Sequence, residues 1–273
     1  RQMCIRDSIL ASRGEGDKTL RMQDLLSLAV RLADAAAVTI RAIRAAGFEV
    51  ETKGDETPVT IADRQAEALI TAGLRDAVPA IPVVAEEEVA AGRITAPGMM
   101  YWLVDPLDGT REFAAGRDEF AVCIGLIVGG APVLGALASP ALNELHFGLV
   151  GQGAWRRQGG AEARIQVRRP PEEGLSVFAS RHYQDAPELK ACLADYRVAE
   201  LVNIGSALKF LRLAEGVADF YPRLGRTMEW DTAAPQAVLE AAGGAVLTRE
   251  GTALRYGKPG WENPDFFAWG KRS

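Results

Sequence analysis

The chain has 273 residues, 48% hydrophobic and 25% charged, the balance of a globular protein able to bury one large core or two smaller ones. Its net charge of −5 gives no electrostatic footing on a nucleic-acid polymer, and no apolar run approaches the roughly 20 residues of a membrane-spanning helix. Cys4, Cys123 and Cys192 are an odd number at unrelated spacings, and with His146 and His182 as the sole histidines they form no zinc pattern, so free thiols in a reducing cytoplasm are expected.

Residues 1–21 carry neither the apolar core of a signal peptide nor a sustained helical stripe, and read as a disordered or non-native extension ahead of Met22. Leu25, Leu28, Leu32, Ala36, Ile40 and Ile43 then recur at helical spacing up to Gly47, which predicts a long amphipathic helix. Residues 48–60 read as loop, and Ile61 to Val78 as a second helix with Ala62, Ala66, Leu69, Ile70 and Leu74 on its apolar face. Strands follow at Tyr101 to Val104, Phe120 to Val128, Pro132 to Ser139, Glu144 to Val150 and Gly153 to Arg157, with Gly129-Gly130 as a hairpin turn. Gln158 to Glu173, with Gly159-Gly160 and Pro170-Pro171, reads as a seam between halves 22–160 and 161–273. Beyond it strands at Leu175–Ala179, Val198–Val202, Ala218–Tyr221 and Ala245–Thr248 alternate with helices at Pro187–Ala194, Ser206–Glu215 and Thr232–Ala242. That alternation predicts layered α/β architecture.

The segment richest in chemistry is Tyr101 to Phe113 (YWLVDPLDGTREF). A buried strand ends there in Asp105 and Asp108, two carboxylates that are costly to bury without a cation between them. Pro106 sets the turn, and Gly109 permits close approach to a ligand. Taken alone, the segment fits a strand end with a β-turn as well as a metal site. Glu86-Glu87-Glu88 upstream and Trp230-Asp231-Thr232-Ala233-Ala234 downstream would bring oxygen ligands from three segments, the donor set of a hard divalent cation beside phosphate. Each has a plainer reading: a solvated charge run for Glu87 and Glu88, and a helix N-cap for Asp231.

With those segments in place the chain resembles the inositol monophosphatase superfamily of metal-dependent, lithium-sensitive phosphatases. Asp105-Pro106-Leu107-Asp108-Gly109-Thr110 matches its first signature and Trp230 to Ala234 its second. Lys53 to Asp63 (KGDETPVTIAD), Ala179-Ser180-Arg181, Gly205 to Phe210 and Ala214 to Arg223 (AEGVADFYPR) are most similar to its CysQ-type 3′(2′),5′-bisphosphate nucleotidase branch. The resemblance implies an αβαβα sandwich of the sugar-phosphatase type and two or three Mg²⁺ ions. Glu86, Asp105 and the Leu107 carbonyl would hold one ion, and Asp105, Asp108 and Asp231 another, with Asp105 bridging. Thr110, with Glu86, would orient the attacking water or accept its proton, and Asp63 would back Thr110, since a threonine alone is too weak a base. Without the resemblance, Asp63 is an ordinary acid in a helix's first turn.

Around the substrate the resemblance implies Gly109, Thr110, Ser180, Ser206, Lys209, Arg223 and Asp231. Lys209 and Arg223 would pair with a second phosphate that is not cleaved. Two departures soften the substrate's identity. Tyr183 stands where the branch has histidine, with His182 displaced by one, and Pro235 replaces the usual glycine, with its ring expected in a helix's first turn. The implied reaction is hydrolysis of the 3′-phosphate of adenosine 3′,5′-bisphosphate by a monomer or homodimer in the cytoplasm. An inositol phosphatase or sugar phosphatase is the alternative, and a non-catalytic phospho-ligand binder is a remoter one.

Overall fold

The computed structural model describes residues 21–53, 58–93, 95–181 and 186–271. Cys4, the extension up to residue 20, His182 and Tyr183 lie outside them, so the expectations made there are not met by any structural fact.

Helix α1 (Met22–Ala46) buries Leu25, Ala29, Ala33, Ala36 and Ile40, the three-to-four spacing of its apolar stripe. Residues 48–60, expected as loop, hold a small antiparallel pair, β1 (Val50–Thr52) and β2 (Pro58–Thr60). No apolar alternation announced it, because all of β1 is exposed. Thr60 then caps α2 (Ile61–Ala77): its side chain accepts from the Ala62 N–H, and Asp63 returns the bond to the Thr60 N–H, a capping box that fixes where the helix starts.

Both helices cover one face of a seven-stranded sheet ordered β3-β4-β5-β6-β7-β8-β9. Its strands are β3 (Val83–Ala85), β4 (Met100–Asp108), β5 (Ala121–Val128), β6 (Ala131–Ser139), β7 (Glu144–Leu149), β8 (Gly153–Gln158) and β9 (Ala161–Ile165). Only β3 and β4 run parallel. Residues alternate between two cores: Trp102, Val104, Val122 and Ile124 toward α1 and α2, Tyr101, Leu103, Ala121 and Cys123 toward the other side. Burial on both faces is why these strands read as continuous apolar runs. Strand β9, inside the expected seam, pairs with β8 and extends this first sheet.

The second sheet runs β11-β10-β12-β14-β13, from β10 (Leu175–Ser180), β11 (Val198–Ile204), β12 (Phe220–Arg223), β13 (Ala245–Thr248) and β14 (Phe266–Trp269). Between the sheets lie α6 (Leu208–Ala214) and α7 (Glu229–Ala241). Helix α5 (Pro187–Leu193) connects β10 to β11, with Tyr196 beyond it against Phe220 and Trp269. The layers are those of the expected αβαβα sandwich. Among the described residues no helix is long and apolar enough to cross a membrane.

Helix α7 sits directly on β5 and β6. A Cβ at Gly135 would lie 2.3 Å from the Ala234 carbonyl oxygen, and one at Gly125 2.7 Å from the Ala234 nitrogen, so glycine on the sheet and alanine on the helix set the layer spacing. The expectation of Pro235 in a first turn is corrected: α7 begins at Glu229, making Pro235 its seventh residue. The start moves because Asp231 closes a capping box with Met228. Pro235 has no N–H to offer the Asp231 carbonyl, which loses its normal helical partner.

Candidate active site

Strand β4 ends in a β-bulge. Asp105 pairs with Cys123 and Asp108 with Ala121, so three steps on β4 match two on β5. In a regular strand residues three apart face opposite sides; the extra residue restores the parity and turns both carboxylates toward one cleft. Gly109 follows at φ +95, where a Cβ would meet the Glu119 carbonyl oxygen at 2.8 Å. It opens the short helix α4 (Thr110–Ala114).

The cleft, about 250 Å³, is lined by Glu86, Asp105, Leu107, Asp108, Gly109, Thr110, Ser180, Ser206, Lys209, Arg223 and Asp231. All the expected site residues except Asp63 line it. Asp63 stands behind Thr110: its Oδ1 is 2.9 Å from Thr110 Oγ1, while its Oδ2 accepts from the Thr60 N–H and hydroxyl at 2.8 and 2.7 Å. The carboxylate that caps α2 therefore also holds the threonine. Thr110 Oγ1 has a second acceptor, the Leu107 carbonyl oxygen, at 3.0 Å.

Asp105 Oδ1 accepts the Leu107 N–H at 2.9 Å, Asp231 Oδ2 the Met228 N–H at 2.9 Å, and Asp108 Oδ2 the Ala207 N–H. Among the described residues the other oxygen of each accepts no hydrogen bond. Asp231 thus serves as helix cap with one oxygen and leaves the other for the cleft. Burial, then Glu86, Asp108 and Asp231, hold the Asp105 carboxyl well above the ordinary range. Burial followed by Asp108 and Glu86 pushes Asp231 up to about 8. Burial pushes Asp108 up to about 6 against the opposing pull of Lys209 and the Ala207 N–H. Crowded, desolvated carboxylate oxygens facing one space, with the Leu107 carbonyl among them, fit hard divalent cations.

Glu86 opens α3 (Glu86–Ala90) with Lys53 Nζ 2.8 Å from its Oε1. Lys53 also reaches Glu87 Oε1 at 2.5 Å, and burial, which lowers its pKa, is outweighed by these two carboxylates, which raise it. The solvated reading of Glu87 and Glu88 is corrected. Glu88 is buried and paired with Arg75 through both oxygens at 2.8 and 2.7 Å, and the Glu87 N–H donates to buried Glu67. Lys53 lies in the quoted KGDETPVTIAD stretch; a lysine shortly before a capped helix was the one available signal. Glu67 sits on α2 with no sequence pattern of its own.

On the substrate side Lys209 is 2% exposed. Its ammonium donates to the Ile204 and Ser206 carbonyls at 3.1 and 2.6 Å and lies over the Tyr221 ring. Burial lowers it to about 8. Ser206 takes φ +53, a left-handed conformation for a non-glycine residue. Arg223 donates to the Gly225 and Arg226 carbonyls at 3.2 and 2.6 Å.

Elsewhere Glu144, His146 and Glu215 gather ligand atoms within 4.8 Å of one another. None of the three lines the cleft. Arg156 and Arg212 already pair with Glu144 at 2.5 and 2.9 Å, and Arg212 with Glu215 at 2.7 Å, so this group is neutralised without a metal.

The sequence pattern of the inositol monophosphatase family matches residues 21–267. The chain belongs to the inositol monophosphatase family. The 3′(2′),5′-bisphosphate nucleotidase CysQ of Escherichia coli O6:H1 is 43% identical over 222 residues, 80% of this chain and 88% of that protein; that of strain K12 is 42% identical over the same shares. Among solved structures of the family, CysQ from Bacteroides thetaiotaomicron superposes with a TM-score of 0.76 at 33% identity, covering 92% of this chain and 99% of that one. An inositol monophosphatase from Anabaena gives 0.72 at 27% identity, covering 92% of each.

Proposed function

We propose that this family member is a Mg²⁺-dependent phosphomonoesterase that removes the 3′-phosphate of adenosine 3′,5′-bisphosphate, yielding AMP and phosphate in the cytoplasm. The observation that carries the metal part is the set of carboxylate oxygens on Asp105, Asp108 and Asp231 turned into one cleft without other partners among the described residues. Glu86, Asp105 and the Leu107 carbonyl would hold one cation, and Asp105, Asp108 and Asp231 another. Such ions supply a water of lowered pKa, polarise the phosphoryl group and neutralise the leaving oxygen.

This chain's own residues do the positioning. Thr110 Oγ1, when it donates to Asp63, turns a lone pair toward the cleft and can accept the proton of an attacking water as its own passes to Asp63. Asp63 is kept in place for this by Thr60. Lys209 braces the turn at residues 204–206 that carries Ser206, and Lys209 and Arg223 set positive charge beside the cleft, where a second phosphate would lie. The nucleotide assignment draws on the names of the E. coli relatives.

Phosphate release from adenosine 3′,5′-bisphosphate, inositol 1-phosphate and fructose 1,6-bisphosphate, each with Mg²⁺ and with chelator, tests both parts. Preference for the nucleotide with loss under chelation is expected. Preference for an inositol or sugar phosphate would overturn the substrate, and chelator-resistant turnover the metal dependence.

A further inference from the structure

Asp231 can serve a cation only if its cleft-facing oxygen is held still, and within α7 one bond, from the Met228 N–H at the helix cap, holds its carboxylate. The first turn of α7 is weakened by Pro235, which withholds the N–H that would meet the Asp231 carbonyl. Further support comes from residues 256–263, a segment that none of the sequence motifs includes.

Asn263 is 6% exposed and follows the 3₁₀ turn Pro259–Trp261. Its backbone N–H donates to the Thr227 carbonyl at 2.9 Å. Its side-chain Nδ2 donates to the Met228 carbonyl at 2.8 Å and to Thr232 Oγ1 at 3.0 Å, which uses both amide hydrogens. Lys258 Nζ reaches its Oδ1 at 3.2 Å. Met228 is the link: Asn263 holds the carbonyls on both sides of it, that of Thr227 with its backbone N–H and that of Met228 with its side chain, and the Met228 N–H donates to Asp231 Oδ2.

A second set of bonds braces the same turn. Glu229, fully buried, accepts from the Gly257 N–H at 2.8 Å, the Lys258 N–H at 2.9 Å and Lys258 Nζ at 2.7 Å. The Tyr256 hydroxyl lies between Gln236 Oε1 at 2.7 Å and Thr232 Oγ1 at 3.0 Å. Thr227 and Thr232, both held by Asn263, line the cleft. A buried network this fully satisfied specifies one geometry.

We propose that Asn263 is a positioning residue for the metal centre: by fixing the backbone on both sides of Met228 it fixes the Asp231 carboxylate, so that segment 256–263 sets the affinity for a divalent cation. The proposal rests on the metal site argued above. Outer partners of metal ligands commonly govern affinity in this way.

The test is calorimetric titration of the full chain with Mg²⁺. Asn263→Ala removes the side-chain bonds to Met228 and Thr232 and keeps the backbone bond to Thr227. Asn263→Asp keeps the shape and the acceptor toward Lys258 but cannot donate to Met228 or Thr232, and it serves if the alanine variant fails to fold. Each is expected to weaken Mg²⁺ binding roughly 10- to 100-fold, with kcat recovering at saturating Mg²⁺. Phe147→Leu, a core change in the layer of α1 and β7, lowers stability and is expected to leave Mg²⁺ affinity alone, which separates positioning from general loosening. A folded Asn263 variant that binds Mg²⁺ as wild type does would overturn the clamp. Wild-type protein and Asp231→Asn in the same titration keep the two readings apart. If Asp231→Asn binds like wild type, or wild type does not bind, the metal site falls and takes the clamp with it. If both behave as expected while the Asn263 variants do not, the clamp alone is wrong.

Discussion

Replacing Asp105 by asparagine should make the metal-free protein more stable and the enzyme inactive. Asparagine keeps Oδ1 to accept the Leu107 N–H, so the bulge is not dismantled. Its amide places two donors where Asp105 presents its other oxygen among Glu86, Asp108 and Asp231. Two carboxylates about 5 Å apart at an effective dielectric near 20 repel by about 3 kcal/mol. Partial protonation of the cluster already relieves much of this, which leaves a net gain of about 1–2 kcal/mol, or roughly 2–8 °C in Tm for a domain of this size. Thermal unfolding with chelator reads that gain, and the same scan with Mg²⁺ should show that the variant has lost most of the cation's stabilisation. Phosphate release should fall below about a tenth of wild type, because on the proposed assignment Asp105 would be shared by two cations that serve nucleophile activation and leaving-group stabilisation. A lower Tm in chelator would refute the repulsion argument, and activity above that level would refute the shared-ligand assignment.

Asp63→Asn and Thr110→Ala should each lower kcat by about 10²–10⁴ with little change in KM, and the double variant should lose no more than the worse single one; additive losses in a double-mutant cycle would separate the two residues. Arg223→Ala should raise KM for adenosine 3′,5′-bisphosphate about tenfold or more while sparing a simple monophosphate, and equal losses on both would remove Arg223 from second-phosphate recognition. Burial raises the Glu215 carboxyl, but hydrogen bonds from His146 and Arg212 outweigh it and bring it from 4.5 down to about 2. A carboxyl depressed on folding stabilises above its unfolded pKa, and that stability is lost as pH falls from about 4.5 toward about 2, on the order of 3 kcal/mol in all. Urea unfolding of Glu215→Gln across that window should show a flatter acid limb than wild type, and parallel limbs would refute the assignment.

The layered fold and the site's ingredients were legible in the sequence because their causes are local. The stripe from Leu25 to Ile40 and the runs through β4, β5 and β6 announce helices and strands by period alone, and Asp105-Pro106-Leu107-Asp108-Gly109-Thr110 is contiguous. Features without an apolar period, and those that depend on distant partners, were not legible. Exposed strands such as β1 and most of β9 have no apolar period, although β9 is joined to β8 by the two-residue turn Gly159-Gly160. Pro235 could be placed only once Asp231 had closed its capping box and moved the helix start to Glu229. Glu87 and Glu88 read as solvent charges because Lys53 lies 34 residues from Glu87, and Arg75 lies 13 residues from Glu88. The sequence by itself determined which side chains the proposed chemistry draws on. The tertiary structure decided how they face: the bulge that turns Asp105 and Asp108 to one side, the α2 cap that also holds Thr110, and Asn263 bracing the turn of Asp231. Each is a contact between separate elements of the chain, and such contacts leave no periodic trace in sequence.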